Sequence, residues 1–251
     1  MEVCVHLSLR LFLYFFLACL FAGVSAHAEP HPIVCGVAKG YPPYQFRDES
    51  GRPIGLDVEV LSQVFTIIDV SYRFEQKDWD DVVANLRYGD LDCAIGMEMS
   101  EIRLESFDFS VPYYIREISL FLLEKEARIE TLDDLVWRVI AGDRHSAVEE
   151  YFSEIGLKNK IRIIQTNSKD ESMRLLKEGR VTALIAPKAV GFYLAKKHEV
   201  QVKTLPLPLT ASPVGIAVKK GNGALLKKIN DGLEKLKQQG KLEPIINRWR
   251  Q

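Results

Sequence analysis

The sequence predicts an α/β protein of two lobes, each a mostly parallel sheet flanked by helices, with two hinge crossings between them. Three observations carry this. From "PIVCGVA" (32–38) onward, short apolar strands alternate with helical patterns, the order that builds parallel sheets through helical crossovers. A frame then repeats: "LRYGDLDCAI" (86–95) and "LKEGRVTALI" (176–185) each place a Leu, a basic residue, a Gly and an aliphatic at the same spacing and end on Ile. Finally, Pro112 and the group Pro206, Pro208 and Pro213 interrupt the chain at two places where a strand would have to change sheet.

The first 28 residues differ from the rest. Arg10 precedes "LFLYFFLACLFAGV", and "SAHAE" follows with the small-residue pattern Ala26-x-Ala28, so this segment is predicted to be a secretory signal cut after Ala28. Its apolar run of about 14 residues is short of the roughly 20 that a bilayer span needs. The mature chain is therefore expected in the periplasm. The full chain of 251 residues is 47% hydrophobic and 27% charged, with a formal net charge of −1. That balance lacks the basic excess of a nucleic-acid binder. No Cys/His cluster has metal-ligand spacing, and no metal or cofactor is expected.

After the first strand comes the Pro-rich turn "KGYPPYQFRDESGRPIG" (39–55). "LDVEVLSQVFTII" then sets Leu61, Val64, Phe65 and Ile68 at helical spacing, with the acidic Asp57 near the helix start. "SYRFEQ" reads as a strand, "DWDDVVANLRYG" as a helix closed by Gly89, and "LDCAIG" as a buried strand. The second half repeats the plan with "IRIIQTN" and the helix closed by Gly179. "ISLFLLE" and "VGIAV" are strands on the far side of the two proline breaks. "ALLKKINDGLEKLKQQG" places Leu225, Ile229, Leu233 and Leu236 on one helical face. The expected organisation is lobe 1 from 29–115 and 211–251, with lobe 2 (116–210) inserted into it and a cleft between them.

In order and spacing, "YPPYQF…GRPIGLDVEVL", "WDDVVANLRYGDLDCAIGM", "SEIRLESFDFSVPYY", "TLDDLVWRVIAGDRHSAVEEYF", "VGIAVKKGN" and "INRWR" resemble the extracellular solute-binding proteins of family 3, the polar amino acid type, with a type II periplasmic binding fold. The likeness covers nearly all of 32–250. "GM" at Gly96-Met97 is closer to the sensor modules related to that family than to its transport members. The resemblance implies a non-enzymatic protein, a monomeric clamshell, that captures a small amino-acid-like or carboxylate ligand for an ABC-type permease; a membrane sensor is the alternative partner. A dehydratase on the same fold is the enzymatic alternative.

The resemblance also assigns site residues. Tyr41 and Trp79 fall at aromatic positions that pack on ligand, and Tyr44 is left to the core. Arg103 falls at the arginine that clamps a ligand carboxylate, a task suited to the planar guanidinium fork, and Ser100 at the hydroxyl that supports it. Gly96 lets backbone approach the ligand. Asp143 and Ser146 lie around the start of a second-lobe helix, where free N–H groups favour an anion. Departures from the family pattern are Pro187 in place of the acid that holds the ligand ammonium, His145 in place of a glycine, and Glu98 in place of a small hydroxyl residue. Glu98 is expected to take over the ammonium contact, with Lys188 at the equivalent place in the other lobe. Cys35 and Cys93 sit at matching depths in neighbouring strands, either bonded or packed as small apolar side chains.

Overall fold

The computed structural model describes residues 31–142, 147–166, 168–209 and 211–249. The predicted signal segment, residues 1–28, thus lies outside the described residues. The chain opens with β1 (Ile33–Ala38), followed by a small antiparallel sheet of β2 (Gly40–Tyr41), β3 (Gln45–Arg47) and β4 (Pro53–Ile54) that occupies the Pro-rich turn. Helix α1 (Leu56–Ile67), β5 (Tyr72–Lys77), α2 (Trp79–Tyr88) and β6 (Cys93–Glu98) follow. Then come the short α3 (Glu101–Ser106), β7 (Phe107–Phe109) and β8 (Tyr114–Arg116).

The second run begins with β9 (Ile118–Leu123), so Glu117 alone separates β8 from β9. It continues through β10 (Val139–Ala141), α4 (Ala147–Glu154), β11 (Arg162–Ile164), α5 (Lys169–Lys177), β12 (Ala183–Pro187), α6 (Lys188–Lys197) and β13 (Val202–Pro206). The chain closes with β14 (Ser212–Lys219), α7 (Gly223–Gln238) and α8 (Leu242–Trp249).

Two larger sheets result, ordered β5-β1-β6-β14-β7 and β11-β10-β12-β9-β13, with β8 also paired to β14. The repeated sequence frame maps onto β6 and β12, which hold the same central place in the two sheets. The helix before each ends as a glycine permits: Gly89 and Gly179 both have positive φ, at 92° and 70°, a conformation that is costless without a Cβ.

The expectation of mostly parallel sheets needs correction, because both sheets are mixed. β1 is parallel to β5 and β6, and β10 to β11 and β12, since a helix carries the chain back each time. The strand entering each sheet from a crossing runs the other way. β14 is antiparallel to β6, β7 and β8, and β9 is antiparallel to β12 and β13. A strand arriving directly from the other sheet has no crossover helix to restore its direction.

Packing follows the predicted faces. Helix α1 buries Leu56, Val60, Leu61, Val64 and Phe65, and α7 buries Ile229, Leu233 and Leu236 in the same core. Cys35 and Cys93 are register partners in β1 and β6. They form a disulfide, with Cα atoms 4.6 Å apart and both residues fully buried. This resolves the two readings that the sequence leaves open, because the Cα separation lies inside the range a disulfide spans.

Candidate functional site

At the carboxyl end of β6 the chain turns into α3, and the residues around that turn form a charged cluster. Ser100 caps α3, its Oγ accepting from the Arg103 backbone N at 3.4 Å. Ser100 therefore supports Arg103 by fixing the backbone of its turn. The Arg103 guanidinium is half-buried, and its Nη1 donates to the backbone O of Glu98 at 3.0 Å. The guanidinium carbon lies 6.0 Å from the centre of the Trp79 ring, at the edge of cation–π range. Trp79 also packs against the core around Val82, Leu86 and Leu91, so its ring serves both the core and the site. Burial lowers the Arg103 pKa, Glu98 counters that, and Arg116 adds to the lowering.

Two residues that the sequence reading did not place in the site dominate it. Arg116, the last residue of β8, is 4% exposed, while Ile115 beside it is 56% exposed. Its guanidinium carbon lies 5.2 Å from the Tyr41 ring centre, 4.3 Å from that of Tyr44 and 5.4 Å from that of Tyr114. Both Nη atoms donate to Gly96 O at 3.4 Å, and Nη2 donates to the Tyr114 hydroxyl. Nη2 is 3.8 Å from Asp57 Oδ2, and Nη1 is 3.5 Å from Glu98 Oε1. Nε has no hydrogen-bond partner among the described residues. Burial opposes the charge of Arg116, but Tyr114, Tyr41, Glu98 and Asp57 outweigh it and hold the group well above the ordinary arginine value.

Asp57 is fully buried at the start of α1. It does not cap that helix, which starts from Gly55 without a side-chain cap. Instead Oδ1 accepts from the Tyr113 hydroxyl at 2.6 Å and Oδ2 from Gln45 Nε2 at 2.9 Å. Gln45 in turn donates to Ile95 O at 2.9 Å and accepts from Ala38 N at 2.7 Å. Burial pushes the Asp57 carboxyl up; Arg116 and the hydrogen bonds pull it back, and the net direction is up.

Gly96 lies inside β6 with φ at 63°. A Cβ there would stand 2.0 Å from Asp57 Oδ2 and 2.3 Å from Gln45 Nε2. The space above this glycine is thus filled by the buried network, and its carbonyl serves Arg116. Tyr41 is half-buried and reaches the site through Arg116; Tyr44 is buried, as expected, but touches Arg116 as well.

Lys188 begins α6 and pairs with Glu117 at 3.5 Å, while its backbone N donates to Glu117 O at 2.8 Å. It is therefore engaged at the crossing. Pro187 is buried at the end of β12. Asp143, His145 and Ser146 lie outside the described residues. Among the described residues no cluster of three His, Cys, Asp or Glu could hold a metal ion.

Arg103 offers a planar donor fork beside an aromatic ring, while Arg116 is consumed by internal partners. The first arrangement suits a carboxylate, and the second is a buried charge neutralised from within the chain.

Comparison with known proteins gives a consistent answer. The chain is 25% identical over 226 residues to the L-cystine-binding protein TcyJ of Escherichia coli (strain K12), covering 88% of this chain and 83% of that one. A histidine kinase sensor domain with similarity to periplasmic binding proteins superposes with a TM-score of 0.79 at 26% identity, covering 88% of this chain and 96% of that one. An ancestral arginine-binding protein bound to arginine gives a TM-score of 0.79 at 28% identity, covering 88% and 99%. These neighbours fix the architecture as the two-lobed periplasmic binding fold. The model of bacterial extracellular solute-binding proteins, family 3, matches residues 33–251, and the chain belongs to that family.

Proposed function

We propose that the protein is a periplasmic solute-binding protein that captures a small amino-acid-like or carboxylate ligand and hands it to an ABC-type permease. The observation that carries this is Arg103. It is a half-buried guanidinium whose one hydrogen bond among the described residues goes to Glu98 O, leaving N–H groups for a bidentate carboxylate. The relatives named above, one an L-cystine-binding protein and one an ancestral arginine-binding protein, support a ligand of that class. In this reading residues 29–115 and 211–251 form one lobe and 116–210 the other. Tyr41, Trp79, Glu98, Ser100 and Arg103 line the cleft from the first lobe with Gly96 buried behind them, and Asp143 and Ser146 complete it from the second. Residues 1–28 are a cleaved export signal, the mature chain is a monomer, and the ligand leaves chemically unchanged.

Closure about the crossings follows from thermodynamics. A ligand touching both lobes stabilises the closed form by its differential affinity for that form. A second reading, the sensing module of a membrane signalling partner, is favoured by the likeness to the histidine kinase sensor domain.

The test is a thermal-shift screen of amino acids, amines and carboxylates on the mature chain, with mass spectrometry of any molecule that co-purifies. A ligand at a hundred times its Kd should stabilise the fold by about 2.7 kcal/mol and be recovered intact. Failure of every amino acid and carboxylate to stabilise the protein would sink the reading. Consumption of the ligand would instead support the enzymatic alternative. Capture by a permease complex or by a sensor receptor separates the transport reading from the sensing one.

A further inference from the structure

The surroundings of Arg116 are those that a protein offers to a cationic ligand. Aromatic faces, carboxylates, a carbonyl and a phenol oxygen converge on one guanidinium, and each kind of contact favours a desolvated cation. Here the cation belongs to the chain itself. It enters from β8, one residue before the crossing at Glu117. Its burial beside an outward-facing Ile115 reverses the usual strand pattern of apolar inside and polar outside, so the position is built for this side chain.

The acids nearby are already committed. Asp57 is fully buried and spends both oxygens on Tyr113, Gln45, Tyr114 and Arg116. Glu98 is 26% exposed, and its carboxylate stands against Arg116 while its carbonyl accepts from Arg103. A positive group on a ligand that approached Glu98 would meet the charge of Arg116, 3.5 Å from Glu98 Oε1, which cannot withdraw without breaking buried contacts. A negative group meets the half-buried Arg103 guanidinium, with the charge of the buried Arg116 behind the partly exposed Glu98 carboxylate.

We infer that Arg116 fills, from within the chain, the place that a ligand's positive group would take. Glu98 is then the partner of Arg116 and does not bind the ligand's ammonium, and the cleft discriminates against cationic ligands in favour of carboxylates. This deepens the proposed carboxylate-binding function and rests on it. It reverses the role that the sequence suggested for Glu98.

Isothermal titration of the mature protein with L-glutamate, glutarate and L-arginine tests it. The wild type should bind glutarate or L-glutamate at least tenfold more tightly than L-arginine. Glu98→Gln should change the L-glutamate and glutarate affinities by the same factor, within threefold, because no ammonium contact is lost. Arg116→Met should improve L-arginine relative to glutarate by tenfold or more, because Glu98 is released. A tenfold selective loss of L-glutamate in Glu98→Gln would overturn the inference while leaving the carboxylate site standing, as would wild-type preference for L-arginine. If Arg116→Met fails to fold, the Glu98→Gln ratio decides alone. If none of the three binds the wild type, the inference falls, while the wider thermal-shift screen still decides the proposed function.

Discussion

The Tyr113 hydroxyl donates to Asp57 Oδ1 at 2.6 Å, joining the strand side of the first sheet to the start of α1 in a fully buried contact. Phenylalanine at position 113 would keep the ring's packing and remove one donor from a carboxylate that has no access to water. Such an orphaned acceptor costs about 1–3 kcal/mol. Tyr113→Phe should therefore lower the unfolding free energy by that amount, seen as a lower urea midpoint at an unchanged denaturant slope. A change below 0.5 kcal/mol would mean that Asp57 is held by Gln45 and Arg116 alone.

Gly96 admits that network by having no side chain. In Gly96→Ala the new Cβ would meet Asp57 and Gln45 well inside contact distance, at a backbone φ of 63° that L-residues occupy at a cost of about 1–2 kcal/mol. Neither neighbour can move without breaking hydrogen bonds, so the total loss should be about 2–4 kcal/mol. Because Gly96 O also anchors Arg116, affinity for carboxylates should fall as well. Chemical denaturation and titration on the same preparation would check both effects, and a variant of wild-type stability would contradict this geometry.

How far the sequence discloses this site depends on which periodicity carries it. The alternation of strands and helices, the glycine caps and the duplicated frame that becomes β6 and β12 are local patterns, visible without any fold. Strand direction is not local: β9 and β14 run antiparallel because of where the crossings enter, which no strand's own residues encode. Asp57 was legible only in part. As an acid in the first turn it suits the helix dipole, yet it shares a helical face with Val60, Leu61 and Val64, all buried, and that spacing already pointed inward. Arg116 had a signal too, since in "YYIRE" the period of two puts it on the same side as Tyr114. Its partners come from 41, 44, 57, 96 and 98, and only the assembled sheet brings those together.

The turn between β3 and β4 makes a pH prediction. The Asp48 carboxylate accepts from the Ser50 hydroxyl and from the Arg52 backbone N, and pairs with the Arg52 side chain. The Ser50 and Arg52 contacts hold its pKa down at about 2, against an ordinary 3.8. A depressed acid pKa means that the unfolded chain takes up the proton first, so the folded state's advantage is complete above 3.8 and lost as pH falls from there through about 2. Carbon-detected NMR should show the Asp48 carboxyl titrating with a midpoint near 2. Asp48→Asn should flatten the acid limb of the stability profile in that window; a midpoint at the ordinary value would show the turn open in solution.

The disulfide makes the last prediction. Cys35 and Cys93 are separated by 58 residues, and closing a loop of that length removes unfolded-chain entropy worth about 4 kcal/mol in the loop-closure model, of which about 2–4 kcal/mol is usually realised. Replacing both residues by alanine also gives up some buried volume, so Cys35→Ala/Cys93→Ala should lose at least the lower figure in urea unfolding. Because both residues are fully buried between β1 and β6, a reductant should reach the bond only when the sheet opens. The wild type should then keep its disulfide in mild reductant at neutral pH and lose it together with its fold as urea is added. Thiol labelling with mass detection follows this directly, and rapid reduction of the folded protein would show that the first sheet opens far more readily than its buried core implies.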